Sequence, residues 1–405
     1  MKKILFLTSM YPDPLRTDNT PVCHFYTKEW KRMGYQVIVI NLRSMFPPFY
    51  TWAARLFPRL ASMYIGNHVE MDRNMNTIKH YVDDILVYSI PVFKYIPHHR
   101  YPQASLKKTA KAIGKLMSDN NFIPDAIVGH FLNPAMELIH VLKKHFPEAK
   151  TSIVFHEADP SAVTKYYSKV YKEILSNYDL VGFRNKGMKN RYEAVMGSFP
   201  RTFICYSGTK DVYLQTPRKE RVFEDGPIKR FVYVGQIVEN KAVLEMIQGL
   251  HLAMGTDFHL TCIGQGNEYK DHVNQYIIDN HLEKCIEFTG QIPRDKIIEY
   301  YDNNDCFVMI SRLEAFGLVY LEAMSRGCIT IGSKGQGIDG VIINRENGFL
   351  CEGGNAEELS NIIMELNKTN SKTKADLSKR SIETAEKYSD PNVAKMYINE
   401  IEKLF

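Results

Sequence analysis

The chain of 405 residues has no C-x-x-C pair. Its seven cysteines (Cys23, Cys205, Cys262, Cys285, Cys306, Cys328 and Cys351) are scattered and odd in number. That argues against zinc ligands of the usual spacing and against a disulfide framework. The expectation is free, mostly core thiols in a reducing compartment, and no metal. No stretch approaches the ~18 continuous apolar residues of a membrane span. The opening MKKILFLTSMYPDP is basic, then apolar, but its apolar run is only Ile4 to Leu7. That is too short for the middle of a secretory signal, and it reads as a buried first strand. A short internal repeat is missing, and so is any basic–aromatic motif that would point to nucleic acid.

What is present is ordinary globular material, 44% hydrophobic and 24% charged. The length suits two domains of roughly 200 residues each. Charge is placed unevenly. Residues 1–210 hold 29 Lys and Arg against 16 Asp and Glu, net +13, and residues 211–405 hold 22 against 30, net −8. A basic first half suits an anionic partner or an anionic membrane surface, and equally a merely soluble basic domain.

Short apolar runs alternate with helical stretches along both halves. Ile4–Thr8, Val37–Ile40, Ala126–Val128, Ser152–Phe155 and Leu180–Phe183 read as strands of the first half. Phe231–Val234, His259–Ile263, Ile286–Phe288, Cys306–Ile310 and Cys328–Ile331 read as strands of the second. Buried strands separated by helices imply parallel sheets. Thr20–Pro21 has the form of a helix cap followed by proline at the first helical position, with Val22, Phe25, Tyr26, Trp30 and Met33 on one face. Residues 44–102 break the rhythm with aromatics, Pro, Met and Arg. They read either as a membrane- or acceptor-facing insertion or as a helical hairpin packed on the domain. The polar, turn-rich stretch Ser207–Ile228 is the best candidate for a domain linker.

In open α/β sheets, ligands bind beyond the carboxyl ends of strands, near helix N-termini. SRLEAFGLVYLEAMSRG, residues 311–327, is the richest such place. A helix beginning near Gly317 would present the N–H groups of Phe316, Gly317 and Leu318 to a phosphate. Glu314 stands in the loop before it and Glu322 about one and a half turns inside. Carboxylates accept from paired sugar hydroxyls, so one glutamate on each side of a bound diphosphate could read the two sugars of a sugar nucleotide. The bland reading makes them a cap and a surface residue. However, Glu322 sits among Val319, Tyr320, Leu321, Ala323 and Met324, where an inward carboxylate is costly without partners.

This segment resembles the E-x7-E motif of the retaining glycosyltransferases of family four, which have the GT-B fold. The resemblance extends through GQIVENK (235–241), IGQG (263–266), FTGQIP (288–293), SKGQGIDGVI (333–342) and NGFL (347–350), in that order. It implies two Rossmann-like domains with parallel sheets facing across a cleft. The boundaries are residues 1–207 for an acceptor-binding domain, 208–385 for a nucleotide-sugar-binding domain, and 386–405 for a final helix crossing back to the first. It also implies roles. Glu314 would hold the transferred sugar on the reacting face, and Glu322 the ribose. Phe316, Gly317 and Leu318 would meet sugar and diphosphate, and Lys241 would neutralise the diphosphate. Gly264 falls in the donor-side loops and Ile292 in the loop that frames the base. Where the family usually places an arginine this chain has Gln236, and Arg312 or Lys334 would have to replace that charge. In the first domain FHEAD (155–159) resembles the family's strand-end histidine segment, making His156 the second catalytic candidate, with His130 weaker. Asn19 and Thr20 stand where the family's first loop often carries a glycine, on the acceptor side.

The expected activity is retaining, metal-independent transfer of a sugar from a nucleotide-diphosphate sugar to a saccharide or lipid-linked saccharide, in bacterial surface polysaccharide synthesis. No cofactor is expected beyond the donor. The expected place is the cytoplasm, with peripheral contact at the inner face of the plasma membrane. The alternatives are another enzyme of the same fold, such as a sugar-nucleotide epimerase or a phosphorylase, and a non-catalytic carbohydrate-binding protein.

Overall fold

The computed structural model describes residues 2–14, 22–56, 76–96, 99–156, 160–167 and 170–405. By its internal contacts the chain divides into two compact units. One holds Met1–Phe183, Arg191–Cys205 and Ala394–Phe405, and the other Arg184–Asn190 and Tyr206–Val393.

The first unit is built on an eight-stranded sheet: β1 (Lys3–Thr8), β2 (Gln36–Met45), β3 (Ile78–Val82), β4 (Ile85–Phe93), β5 (Ala126–His130), β6 (Lys150–Phe155), β7 (Leu180–Phe183) and β8 (Thr202–Ile204). Their spatial order is β3-β4-β2-β1-β5-β6-β7-β8, parallel throughout except for β3, which runs antiparallel to β4. Helices cover a parallel sheet on both faces, so its central strands are continuous apolar runs. Leu5, Phe6 and Leu7 of β1 are accordingly all fully buried. The helix Gln103–Asp119 lies on the sheet through Leu106, Ala110, Ile113 and Met117, the three-to-four spacing of an amphipathic helix. Tyr397, in the helix Asp390–Glu402, packs edge-on to Tyr26 and Trp30, and the Trp30 indole N–H donates to the Ala394 carbonyl at 2.9 Å.

Among the described residues, the stretch 44–102 holds a short helix, Pro48–Leu56, and two strands of the main sheet that neither sequence reading foresaw. β4 pairs with β2 over eight positions, from Ile38↔Leu86 to Met45↔Phe93. Its sequence ILVYSIPVF is mostly buried, so it shows no alternation, and Pro91 reads against a central strand. The β3 ladder reaches only to Ser89, so among the described residues no strand pairs with β4 on that side at Pro91, where the missing N–H is tolerated. Residues 57–75 of this stretch, together with Asn19, Thr20 and the Thr20–Pro21 helix start, lie outside the described residues. The next helix runs His24–Arg32, with Cys23 at its cap and no side-chain cap bond.

The second unit is a six-stranded, all-parallel sheet: β9 (Arg230–Val234), β10 (His259–Ile263), β11 (Ile286–Gly290), β12 (Cys306–Val308), β13 (Ile329–Ser333) and β14 (Phe349–Cys351). The order is β11-β10-β9-β12-β13-β14. Counted from β9 this is 3-2-1-4-5-6, the doubly wound order of dinucleotide-binding folds. The direction of winding reverses between β9 and β12, and a crevice opens there beyond their carboxyl ends.

The polar stretch Ser207–Ile228 packs on the second unit rather than standing free as a linker. It contains the short helix Asp211–Gln215, and Arg326 anchors that helix and the two residues after it. The Arg326 guanidinium is 2% exposed and forks onto Asp302 with two bonds of 2.8 Å. It also donates to the carbonyls of Tyr213, Thr216 and Pro217 at 3.1, 2.8 and 2.8 Å.

Candidate functional site

Two loops meet at the reversal point. The first leaves β9 and passes Gly235 and Gln236 into a 3-10 turn, Glu239–Lys241, before the helix Val243–Met254. The second leaves β12, runs from Ser311 to Gly317, and leads into the helix Leu318–Ser325. The Arg312 N–H donates to the Asn240 carbonyl at 2.9 Å, which ties the loops together.

That contact brings Lys241 and Glu314 side by side. Lys241 Nζ lies 2.5 Å from Glu314 Oε2, with the side chains 19% and 14% exposed. Glu314 is held from behind at both backbone atoms. Its N–H donates to Gln336 Oε1 at 3.0 Å, and its carbonyl accepts from Gly337 N–H at 3.1 Å. Asn185 Nδ2 fixes the next carbonyl, Ala315, at 2.6 Å. Gly337 is required at its place, since a β-carbon there would lie 2.2 Å from Phe316 Cα.

Gly317 caps the helix in the left-handed region, φ 78° and ψ 73°, which a glycine adopts without strain. Among the described residues the N–H groups of Phe316, Gly317 and Leu318 have no hydrogen-bond partner. Unpaired N–H groups and the positive end of a helix make an anion site. Tyr320 steadies this end from below, its hydroxyl donating to the Met309 carbonyl at 2.7 Å.

Glu322 occupies separate surroundings in the same helix. It is 6% exposed, and the Tyr301 hydroxyl donates to its Oε2 at 3.4 Å. Burial pushes its carboxyl pKa above the usual range, while Lys210, Arg294 and Tyr213 pull it back down. Tyr213, Tyr301, Lys210 and Arg294 were not singled out in the sequence. Only Arg294 carried a signal, two residues after Ile292.

The remaining donor-side candidates divide. Gln236 is exposed, and its carbonyl accepts from the Tyr233 hydroxyl at 2.7 Å. Gly264 lets two loops touch: its φ is +147°, and a β-carbon would lie 1.9 Å from the Gly235 carbonyl oxygen. Ile292 is half-exposed in the loop after β11. Arg312 is not joined to Glu314. It pairs with Glu245 at 2.5 Å, and that carboxylate also takes the Tyr269 hydroxyl at 3.3 Å. Lys334 is exposed beside Glu352 and Asn355. In this structure, then, Arg312 is engaged by Glu245, as Lys241 is by Glu314, and Lys334 lines a surface depression with Glu352 and Asn355.

In the first unit, His130 ends β5 and His156 comes directly after β6, and the structure joins the two candidates that the sequence had ranked separately. His130 Nδ1 lies 2.9 Å from His156 Nε2. His130 is fully buried and stacks on Phe6, with ring centres 5.0 Å apart. Phe131 stacks on His156 at 3.9 Å, held there by a left-handed backbone of φ 66°. Residues 157–159 of the FHEAD segment lie outside the described residues.

Among the described residues no helix is long and apolar enough to cross a membrane. Comparison with known proteins agrees with the architecture. Residues 216–387 match the family described as glycosyl transferases group 1. An uncharacterized glycosyltransferase of Methanocaldococcus jannaschii is 25% identical over 358 residues, covering 82% of this chain and 93% of that one. The amylovoran biosynthesis glycosyltransferase AmsK of Erwinia amylovora is 28% identical over 229 residues, covering 54% and 55%. Among solved structures, Anabaena HepE in complex with UDP and glucose superposes with a TM-score of 0.65 at 16% identity, covering 100% of both chains. The crevice loops therefore lie within a glycosyl transferases group 1 domain, and the chain is a glycosyltransferase of GT-B fold.

Proposed function

We propose that the chain moves a sugar, with retention of configuration and without a metal, from a nucleotide-diphosphate sugar to a hydroxyl of a saccharide or lipid-linked saccharide. The observation that carries this reading is the Lys241–Glu314 pair beside the unpaired N–H groups of Phe316, Gly317 and Leu318. A diphosphate at the helix start would face those N–H groups and the Lys241 ammonium. They would oppose the negative charge that grows on the leaving phosphate as the bond to the sugar breaks. Drawn to the phosphate, Lys241 would release Glu314 to accept hydroxyls of the transferred sugar. Glu322 would exchange its weak tyrosine contact for the two ribose hydroxyls. The acceptor's proton would leave on the departing phosphate, so no separate base is assigned. The presence of UDP and glucose on HepE supports a nucleotide-sugar donor. A panel of nucleotide-diphosphate sugars tests the reading: the true donor raises the melting temperature by mass action, and a flat panel would count against it.

The acceptor side rests on different observations. AmsK is named for amylovoran biosynthesis, which favours a polysaccharide product. The first half of the chain carries net charge +13, and the short helix Pro48–Leu56 exposes Phe49, Trp52 and Leu56, each more than half accessible. Apolar residues three and four apart on a basic unit suit an anionic membrane face. Cosedimentation with anionic vesicles at low salt, lost at high salt, is the expected result. Equal behaviour with neutral vesicles would remove the electrostatic part of this reading.

A further inference from the structure

Resting on the donor reading above, we infer that Asn185 is a positioning residue that aims the Phe316 N–H at the diphosphate. Asn185 comes two residues after β7 and belongs to the second unit, in the segment Arg184–Asn190. It is 1% exposed, and its amide is engaged at both ends. Asn185 Oδ1 accepts the Met188 N–H at 2.6 Å and so caps the helix Lys186–Met196. Asn185 Nδ2 donates to the Ala315 carbonyl, also at 2.6 Å. These partners fix which way the amide stands, because exchanging its oxygen and nitrogen would set N–H against N–H and oxygen against oxygen.

A cap requires only the oxygen, which serine, threonine or aspartate would supply equally. The amide nitrogen adds something else, a grip on the loop that leads into the helix Leu318–Ser325. The Ala315 carbonyl and the Phe316 N–H belong to one planar trans peptide and point in opposite directions. Holding the oxygen therefore sets the direction of the N–H, which points away from Asn185 and is one of the three unpaired groups at the helix start. Three consecutive peptide planes of this loop are locked from outside it. Gln336 holds the plane of Leu313 and Glu314, the Gly337 N–H that of Glu314 and Ala315, and Asn185 that of Ala315 and Phe316. The Phe316 ring is held too, with the Arg184 guanidinium over it at 5.5 Å and Tyr206 edge-on at 6.4 Å. A donor aimed in advance costs no reorganisation when negative charge grows on the leaving phosphate. That phosphate is the outer one of the nucleotide, so the effect of Asn185 belongs to diphosphates and not to monophosphates.

Asn185→Asp and Asn185→Ser separate capping from positioning. Both keep a capping oxygen, so the melting temperature should stay close to that of the wild type. Neither grips the Ala315 carbonyl, since an ionised aspartate has no proton to donate and serine is too short to reach it. The probe is whichever of UDP, ADP, GDP and TDP raises the wild-type melting temperature most, compared by calorimetry with its own monophosphate. The wild type should bind the diphosphate more tightly. In both variants the diphosphate is expected to bind at least about tenfold more weakly, and the monophosphate within about twofold of the wild type. Should the aspartate variant melt early because of its new charge, the neutral serine variant gives the reading. Wild-type affinity for the diphosphate in a folded variant, or an equal loss for both nucleotides, would overturn the inference and leave the donor reading standing. A wild type with no preference for the diphosphate would refute the donor reading itself, and this inference with it.

Discussion

Glu314→Ala is expected to lower kcat for sugar transfer by at least about 10²–10³-fold, with the affinity for the bare nucleoside diphosphate unchanged or tightened. The magnitude is that of deleting one preorganised polar group facing the reacting centre. The split between the two parameters comes from the pair seen in the structure. Lys241 Nζ is 2.5 Å from Glu314 Oε2, so the carboxylate competes with any diphosphate for the same ammonium. Removing it frees the cation for the phosphate and removes the acceptor for the sugar. The protein should stay folded, because Lys241 and Glu314 are both reached by solvent and the loop keeps its backbone bonds to Gln336 and Gly337. Full activity in this variant, or a loss of nucleotide affinity equal to the loss of kcat, would contradict the assigned role.

Arg326→Ala should cost about 3–5 kcal/mol of stability, the usual result of removing one partner from a buried ion pair. The site is unforgiving. The guanidinium is 2% exposed and serves Asp302 together with three backbone carbonyls, at Tyr213, Thr216 and Pro217. For a unit of this size the melting temperature should fall by roughly 10 °C. Tyr213 borders Glu322, so donor binding should weaken in parallel as the segment 213–217 loosens. A drop of only one or two degrees would show that the segment is held by other contacts.

The two predictions differ in how far the sequence alone reaches them. Glu314, Lys241 and the Phe316–Leu318 backbone were legible because each lies where a strand, a tight turn and a helix start come within a dozen residues. Local order there fixes the geometry. The ten apolar runs read as strands all correspond to strands, since a buried parallel strand is written in its own composition. β8 and β14 were missed because three residues carry too little pattern, and β4 because Pro91 and an unbroken apolar run hide it. The Arg326 fork, the His130–His156 contact and the surroundings of Glu322 were not legible. Their partners lie between 21 and 113 positions away in the chain, and only the folded sheets bring them together. The exchange of arginine for Gln236 was visible as a departure, but its consequence was not. Of the cations nearby, Arg312 is held by Glu245 and Lys334 lines a depression with Glu352, while Lys241 stands against Glu314 beside the helix start.

The most direct test of the donor-site account is a calorimetric titration of the wild type and of Glu322→Ala with the nucleotide-diphosphate sugar that the panel selects, together with proton NMR of the first product formed. The account predicts one binding site per chain and at least tenfold weaker binding in Glu322→Ala. It also predicts that the new glycosidic bond keeps the anomeric configuration of the donor. Undiminished binding by Glu322→Ala, or a product of inverted configuration, would contradict it.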